Sequence, residues 1–97
     1  MSIDKFISLN ELCTHYEVEI SFFTRLNEMG LIETQVIGEL ICVHQDKITD
    51  IEKMIRLHRE LDLNFEGIDT VFNLLDKITE LQNELIQTKN RLRLYED

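Results

Sequence analysis

From Val71 to Tyr95 apolar residues recur at heptad spacing, with neither glycine nor proline to interrupt them. Val71, Ile78, Leu85 and Leu92 hold one seam position, and Leu74, Leu81, Thr88 and Tyr95 hold the other. Four heptads of α-helix run to roughly 35–40 Å at ~1.5 Å per residue. A chain of 97 residues is one domain plus an appendage. Such a domain is too small to cover that helix along its whole length. Helices polar on three sides are stabilised by packing rather than by propensity. A partner helix is therefore implied, and a homodimer through Val71, Leu74, Ile78, Leu81, Leu85 and Leu92 is expected. At the seam edges Lys77, Glu84 and Arg91 face Gln82, Lys89 and Glu96. A parallel pair can match Glu84 with Lys89 and Arg91 with Glu96, but each such pair contributes little. Both orientations stay open. Residues 67–97 are read as a dimerisation helix, and residues 1–66 as a folded head.

The head begins with Ser8-Leu9-Asn10-Glu11, a capping-box spacing that starts a helix over Leu9 to Tyr16. Val18 enters the core, and a second helix runs about Ile20–Met29 with Phe22, Phe23, Leu26 and Met29 on its apolar face. Gly30 suits a left-handed stop. Gly38-Glu39, flanked by Val36-Ile37 and Leu40-Ile41, fits a two-residue type II′ turn and predicts a small hairpin. Asp46 is the expected cap of a third helix over about Lys47–Leu61, which buries Ile48, Ile51, Ile55 and Leu61. Asn64 caps the last helix, with Gly67 in its first turn. Helix, turn, helix and hairpin, in that order, make a mainly α winged helix-turn-helix with a small β-hairpin wing and a long coiled-coil tail.

That layout is common among DNA-binding modules, yet its charge is wrong for DNA. Lys5 and Arg25 are the only Lys or Arg in the first 45 positions, against Asp4, Glu11, Glu17, Glu19, Glu28, Glu33 and Glu39. Neutralising phosphates supplies most of the free energy of binding a duplex, and this half repels them. The formal net charge of -9 likewise favours basic partners over nucleic acid and anionic membrane. A hydrophobic content of 43% argues against wholesale disorder. The start Met1-Ser2-Ile3-Asp4-Lys5 has no signal-peptide pattern, and no apolar run nears the roughly 20 residues of a membrane span. Cys13 and Cys42 are too few for a disulfide framework, which fits a cytoplasmic location.

Two stretches carry a family resemblance. Ile7-Ser8-Leu9-Asn10-Glu11-Leu12, followed by Met29-Gly30-Leu31-Ile32, is similar to the start of a MerR-type winged helix. The run from Ile55 to Ile68, with its Leu63-Asn64-Phe65-Glu66-Gly67-Ile68 turn, more specifically resembles the chaperone-modulator CbpM family. The resemblance covers nearly the whole chain with the heptad tail. A MerR-type activator carries arginines and aromatics on its recognition helix and basic residues in its wing. Here the corresponding positions are Ser21, Thr24 and Glu28, and Glu33 to Asp46 contains neither Lys nor Arg. The CbpM resemblance implies a protein that binds and inhibits the J-domain of a DnaJ-like co-chaperone, whose exposed helix is basic. An acidic head is what such a target needs.

The expected docking face is therefore Glu17, Glu19, Glu28, Glu33 and Glu39, with affinity from apolar anchors among Phe22, Phe23, Ile37 and Leu40. The competing expectation is a MerR-like DNA-binding transcriptional regulator contacting phosphates through Arg25 and Lys5. Lys47, Lys53, Arg56 and Arg59 would assist it, against Asp46, Asp50 and Glu52. A passive oligomerisation module is the third. Cys13-Thr14-His15 and Cys42-Val43-His44 repeat a Cys-x-His pair; on a strand Cys42 and His44 share a face, but on a helix Cys13 and His15 point to nearly opposite sides, and four-ligand zinc needs two good pairs, so no metal is expected. His58 reads as a boundary residue, and Arg56 and Arg59 as partners of Glu52, Glu60 or Asp62. No nucleophile-base arrangement, phosphate loop or tight carboxylate pair stands out among three glycines and no proline. Neither an enzyme nor a cofactor is expected.

Overall fold

The computed structural model describes residues 5–96, with nothing to add on the side chain of Glu96. Asp4, the opening tetrapeptide and the expected Arg91–Glu96 pair therefore lie outside the described residues or side chains. The order of elements is β1 (Phe6–Ser8), α1 (Leu9–Tyr16), α2 (Ile20–Glu28), β2 (Gln35–Ile37), β3 (Leu40–His44), α3 (Ile48–Glu60) and α4 (Phe65–Glu96). The chain is mainly α, a winged helix-turn-helix ending in one long helix, as the sequence pattern implies.

Local chemistry sets most boundaries. Ser8 Oγ accepts the Glu11 N–H at 3.2 Å and starts α1. The reciprocal bond expected from the Glu11 side chain is not formed among the described residues. Gly30, at φ +76°, ends α2 with Gly30 N–H on Asn27 O at 3.0 Å and Leu31 N–H on Leu26 O at 2.9 Å. That pairing is a Schellman motif. Asn64 Oδ1 accepts the Gly67 N–H at 2.8 Å and opens α4.

Three expectations need correction. The wing has three strands, not two: β1 joins β3 antiparallel, with Ile7 opposite Val43, and the sheet order is β1-β3-β2. Asp46 does not cap α3. A 3₁₀ turn over Gln45–Lys47 precedes that helix, and the His44 ring accepts the Asp46 N–H at 3.1 Å, so Lys47 becomes the cap without a side-chain bond. Leu61 is 65% exposed rather than buried, because the chain leaves the helix there and turns at Asp62, φ 55°. Met54, not singled out by the pattern, is a core residue of α3.

The core joins Leu9 and Leu12 of α1, Phe22, Phe23 and Leu26 of α2, Val43 of β3, Ile51, Met54 and Ile55 of α3, and Ile68 of α4. Phe65 and Phe72 flank Ile68 on that core, so the opening turns of α4 pack on the head, and the helix continues unbroken across residues 66 and 67. Beyond Phe72 every residue of α4 whose side chain is described is exposed. Its 32 residues span about 48 Å at ~1.5 Å per residue. The radius of gyration is accordingly 17.8 Å, against about 12.5 Å for a compact domain of this length.

Candidate functional site

The turn between α1 and α2, the outer side of α2, the end of α3 and the start of α4 enclose a groove of about 850 Å³. Its floor is aromatic. Phe22, only 7% exposed, lies 5.7 Å from Phe65 and 5.2 Å from His58 between ring centroids, and His58 stacks on Phe65 at 5.6 Å. Phe22 falls on the apolar face of α2, and Asn64 starts α4 so that Phe65 leads it. His58 Nδ1 lies 2.9 Å from Leu63 O. A carbonyl oxygen only accepts, so this bond assigns the ring proton to Nδ1. His58 thereby braces the α3–α4 turn.

The rim is charged. Glu17 closes α1 in the left-handed region, φ 56°, and Glu19 is the N-cap residue of α2 without a side-chain bond. Arg59 donates to the Glu17 carbonyl oxygen and ties α3 to this turn. Its expected ion pairs with Glu52, Glu60 or Asp62, like those of Arg56, are not formed among the described residues. Arg25 reaches Glu28 at 3.4 Å and Glu66 at 3.5 Å, so two carboxylates share it. Among the described residues the carboxylates of Glu17 and Glu19 make no ion pair. Glu17, Glu19 and Glu28 thus line a groove whose two guanidinium groups, Arg25 and Arg59, already have acceptors.

Of the five acids expected on the docking face, Glu17, Glu19 and Glu28 line this groove together. Glu33 is exposed on the segment between α2 and β2, and Glu39 sits in the β2–β3 turn; neither lines it. Phe23 is fully buried and unavailable as an anchor, whereas Phe22 presents part of its ring to the groove. Ile37 is half-buried, and Leu40 is exposed on the wing beside Val36 and Ile41. Nothing in the sequence pattern marks Phe65 and His58 as groove residues. They reach Phe22 from α3 and α4, far along the chain from α2. The wing turn uses Gly38 at φ +64°, as a Gly-first turn requires.

Cys42 is buried in β3, opposite Ser8, and Cys13 is half-buried on α1, where burial pushes its thiol pKa up. Among the described residues no three His, Cys, Asp or Glu side chains are placed to share an ion. Among the described residues no helix is long and apolar enough to cross a membrane.

The seam of α4 is bare. Leu74, Ile78, Leu81, Leu85 and Leu92 are each at least half exposed, and Val71 is partly covered by the head.

Comparison with known proteins finds a family model described as MerR HTH family regulatory protein matching residues 7–90. The chain is 25% identical over 87 residues to the chaperone modulatory protein CbpM of Pseudomonas entomophila (strain L48), covering 89% of this chain and 86% of that one. It is 27% identical over 86 residues to the CbpM proteins of Escherichia coli (strain K12 / DH10B) and Shigella boydii serotype 18 (strain CDC 3083-94 / BS512), covering 88% and 85%. No solved structure matches the chain.

Proposed function

The chain belongs to the MerR HTH family of regulatory proteins, and from that premise we propose that it is a chaperone modulator whose head docks on the J-domain of a DnaJ-like co-chaperone and inhibits it. The named relatives are chaperone modulatory proteins, and neither their names nor the family's describe an enzyme. One observation carries the reading to this surface. Glu17, Glu19 and Glu28 line an aromatic-floored groove whose two arginines are already engaged, Arg25 by Glu28 and Glu66 and Arg59 by the Glu17 carbonyl.

Such a groove suits a cationic helix. Lysine and arginine stems lie along Phe22 and Phe65 while their heads reach the rim. Complementary charge speeds encounter and excludes acidic partners, and the aromatic floor supplies affinity. Glu33 and Glu39 extend the negative field toward the wing and act in steering. Inhibition is steric: the head covers the basic surface an Hsp70 partner would use. The tail of residues 67–97 pairs two copies through the seam, giving a cytoplasmic homodimer with two heads.

DNA recognition is less well supported. The exposed side of α2 offers Ser21, Thr24, Arg25 and Glu28, and the one cation there is held by two carboxylates. Calorimetry of the full chain with the DnaJ-like partner tests the docking face. Glu17→Lys with Glu19→Lys raises the dissociation constant at least about tenfold, whereas Glu33→Lys with Glu39→Lys changes it about threefold at low salt. Unchanged affinity in the Glu17/Glu19 double variant refutes this face.

A further inference from the structure

Leu61 and Leu75 serve neither the core nor the heptad seam, and both are exposed. They meet across a crevice of about 220 Å³ between α3 and α4. Leu57 and Phe72, half-buried against the core, form its floor, and Val71 continues the α4 wall. The crevice shares no lining residue with the docking groove. Its lining charges are Lys53, Arg56 and Glu60, in that order along α3. Among the described residues neither Lys53 nor Arg56 makes an ion pair. An apolar slot thus has two cations with no acid engaged at one end and a carboxylate at the other.

We propose that this crevice is a binding site for a small amphipathic anion, a medium-chain carboxylate. Its head lies between Lys53 and Arg56, and its tail runs along Leu57 and Phe72 toward Leu61. Burial of the tail supplies affinity, and the two cations select the sign of the head. Glu60, at the far end, repels a carboxylate and so fixes which way the ligand lies.

Size sets the class as firmly as charge. Lys53 and Glu60 are about 10 Å apart along α3 at ~1.5 Å per residue, a span that suits a straight chain of about eight carbons. A volume of about 220 Å³ spread over that length leaves a slot about as wide as one aliphatic chain. It is far narrower than the ~10–12 Å of a peptide helix, and smaller than the roughly 300–1,000 Å³ of a drug-sized pocket. The overall charge of -9 draws cations and repels anions. A preference for the anion at this place therefore reports Lys53 and Arg56, not the field of the whole chain.

Amide chemical-shift titrations of the full chain with sodium octanoate and with octylammonium chloride, which carry tails of the same length, test the site. Octanoate shifts the resonances of Lys53, Leu57, Phe72 and Leu75 saturably, and octylammonium binds there at least about threefold more weakly. Lys53→Gln with Arg56→Gln weakens octanoate about three- to tenfold and abolishes the preference. Both cations are exposed, so the head stays folded in this variant, as the dispersion of the same spectra reports. Leu75→Ser, outside the core, weakens both probes about threefold or more, and Lys89→Gln, far along α4, changes neither. Octylammonium binding as tightly as octanoate, an unchanged octanoate constant in the Lys53/Arg56 double variant, or no saturable shift at these residues overturns the proposal.

Discussion

Replacing Leu81 by alanine tests how much of the tail's cohesion lies in its seam. Leu81 is 60% exposed in the single chain, about 100 Å² of largely apolar surface. At ~25 cal/mol per Å², burying all of it against a second helix contributes about 2.5 kcal/mol per copy. Alanine retains roughly a third of that surface, so the loss is about 1.5–2 kcal/mol per copy and about 3–4 kcal/mol per dimer. The dissociation constant should rise a few hundredfold, at about tenfold per 1.4 kcal/mol. Half the assumed burial still predicts a rise of about tenfold or more. Analytical ultracentrifugation reads the constant directly, and Asn83→Ala, on the opposite side of α4, serves as the control. Leu81 touches no core residue, so the urea midpoint of the head at concentrations where both proteins are monomeric should not move. A Leu81→Ala constant within about threefold of the unmodified protein refutes the seam, since surface substitutions alone stay within about 0.5 kcal/mol.

Two further outcomes follow from packing and titration. Ile68 is fully buried where α4 enters the core, so Ile68→Ala should cost about 2–5 kcal/mol in urea unfolding; a loss below about 1 kcal/mol contradicts the packing of α4 on the head. Tyr16 has its phenol pKa raised above the ordinary 10.0 by burial and by the neighbouring Glu52 carboxylate. A raised value means that folding favours the neutral phenol, so its stabilisation is complete below the ordinary value and is lost as pH rises through the raised one. In a Tyr95→Phe background, phenolate absorbance should appear at lower pH after Glu52→Gln, and an unchanged titration curve contradicts the contact.

The parts of this fold that were legible are those decided within a few residues. Ser8 starts α1, Gly30 stops α2, Gly38 turns the hairpin and Asn64 opens α4, each by a bond or a φ value local to it. Strand β1 was not legible, because three residues carry no period and their partner is β3, far along the chain. The cap of α3 was misread for a related reason: the His44 ring competes for the Asp46 N–H, and a 3₁₀ turn intervenes. The groove was half legible. Its acids could be counted in the sequence, but their convergence on Phe22 depends on Phe65 and His58 arriving from α4 and α3. Glu33 and Glu39 carry the same charge and remain on the wing side. Composition reports the sign of a surface, whereas tertiary packing decides which charges share it.

The most direct test compares two partners of opposite charge under one set of conditions: titration of the full chain with an isolated J-domain of the DnaJ-like co-chaperone, and with random duplex DNA, each at low and moderate salt. An acidic docking head predicts saturable J-domain binding that weakens as salt rises, and no DNA binding even at low salt. Retention of the duplex together with indifference to the J-domain would contradict it, and would return this winged head to the role its outline first suggests.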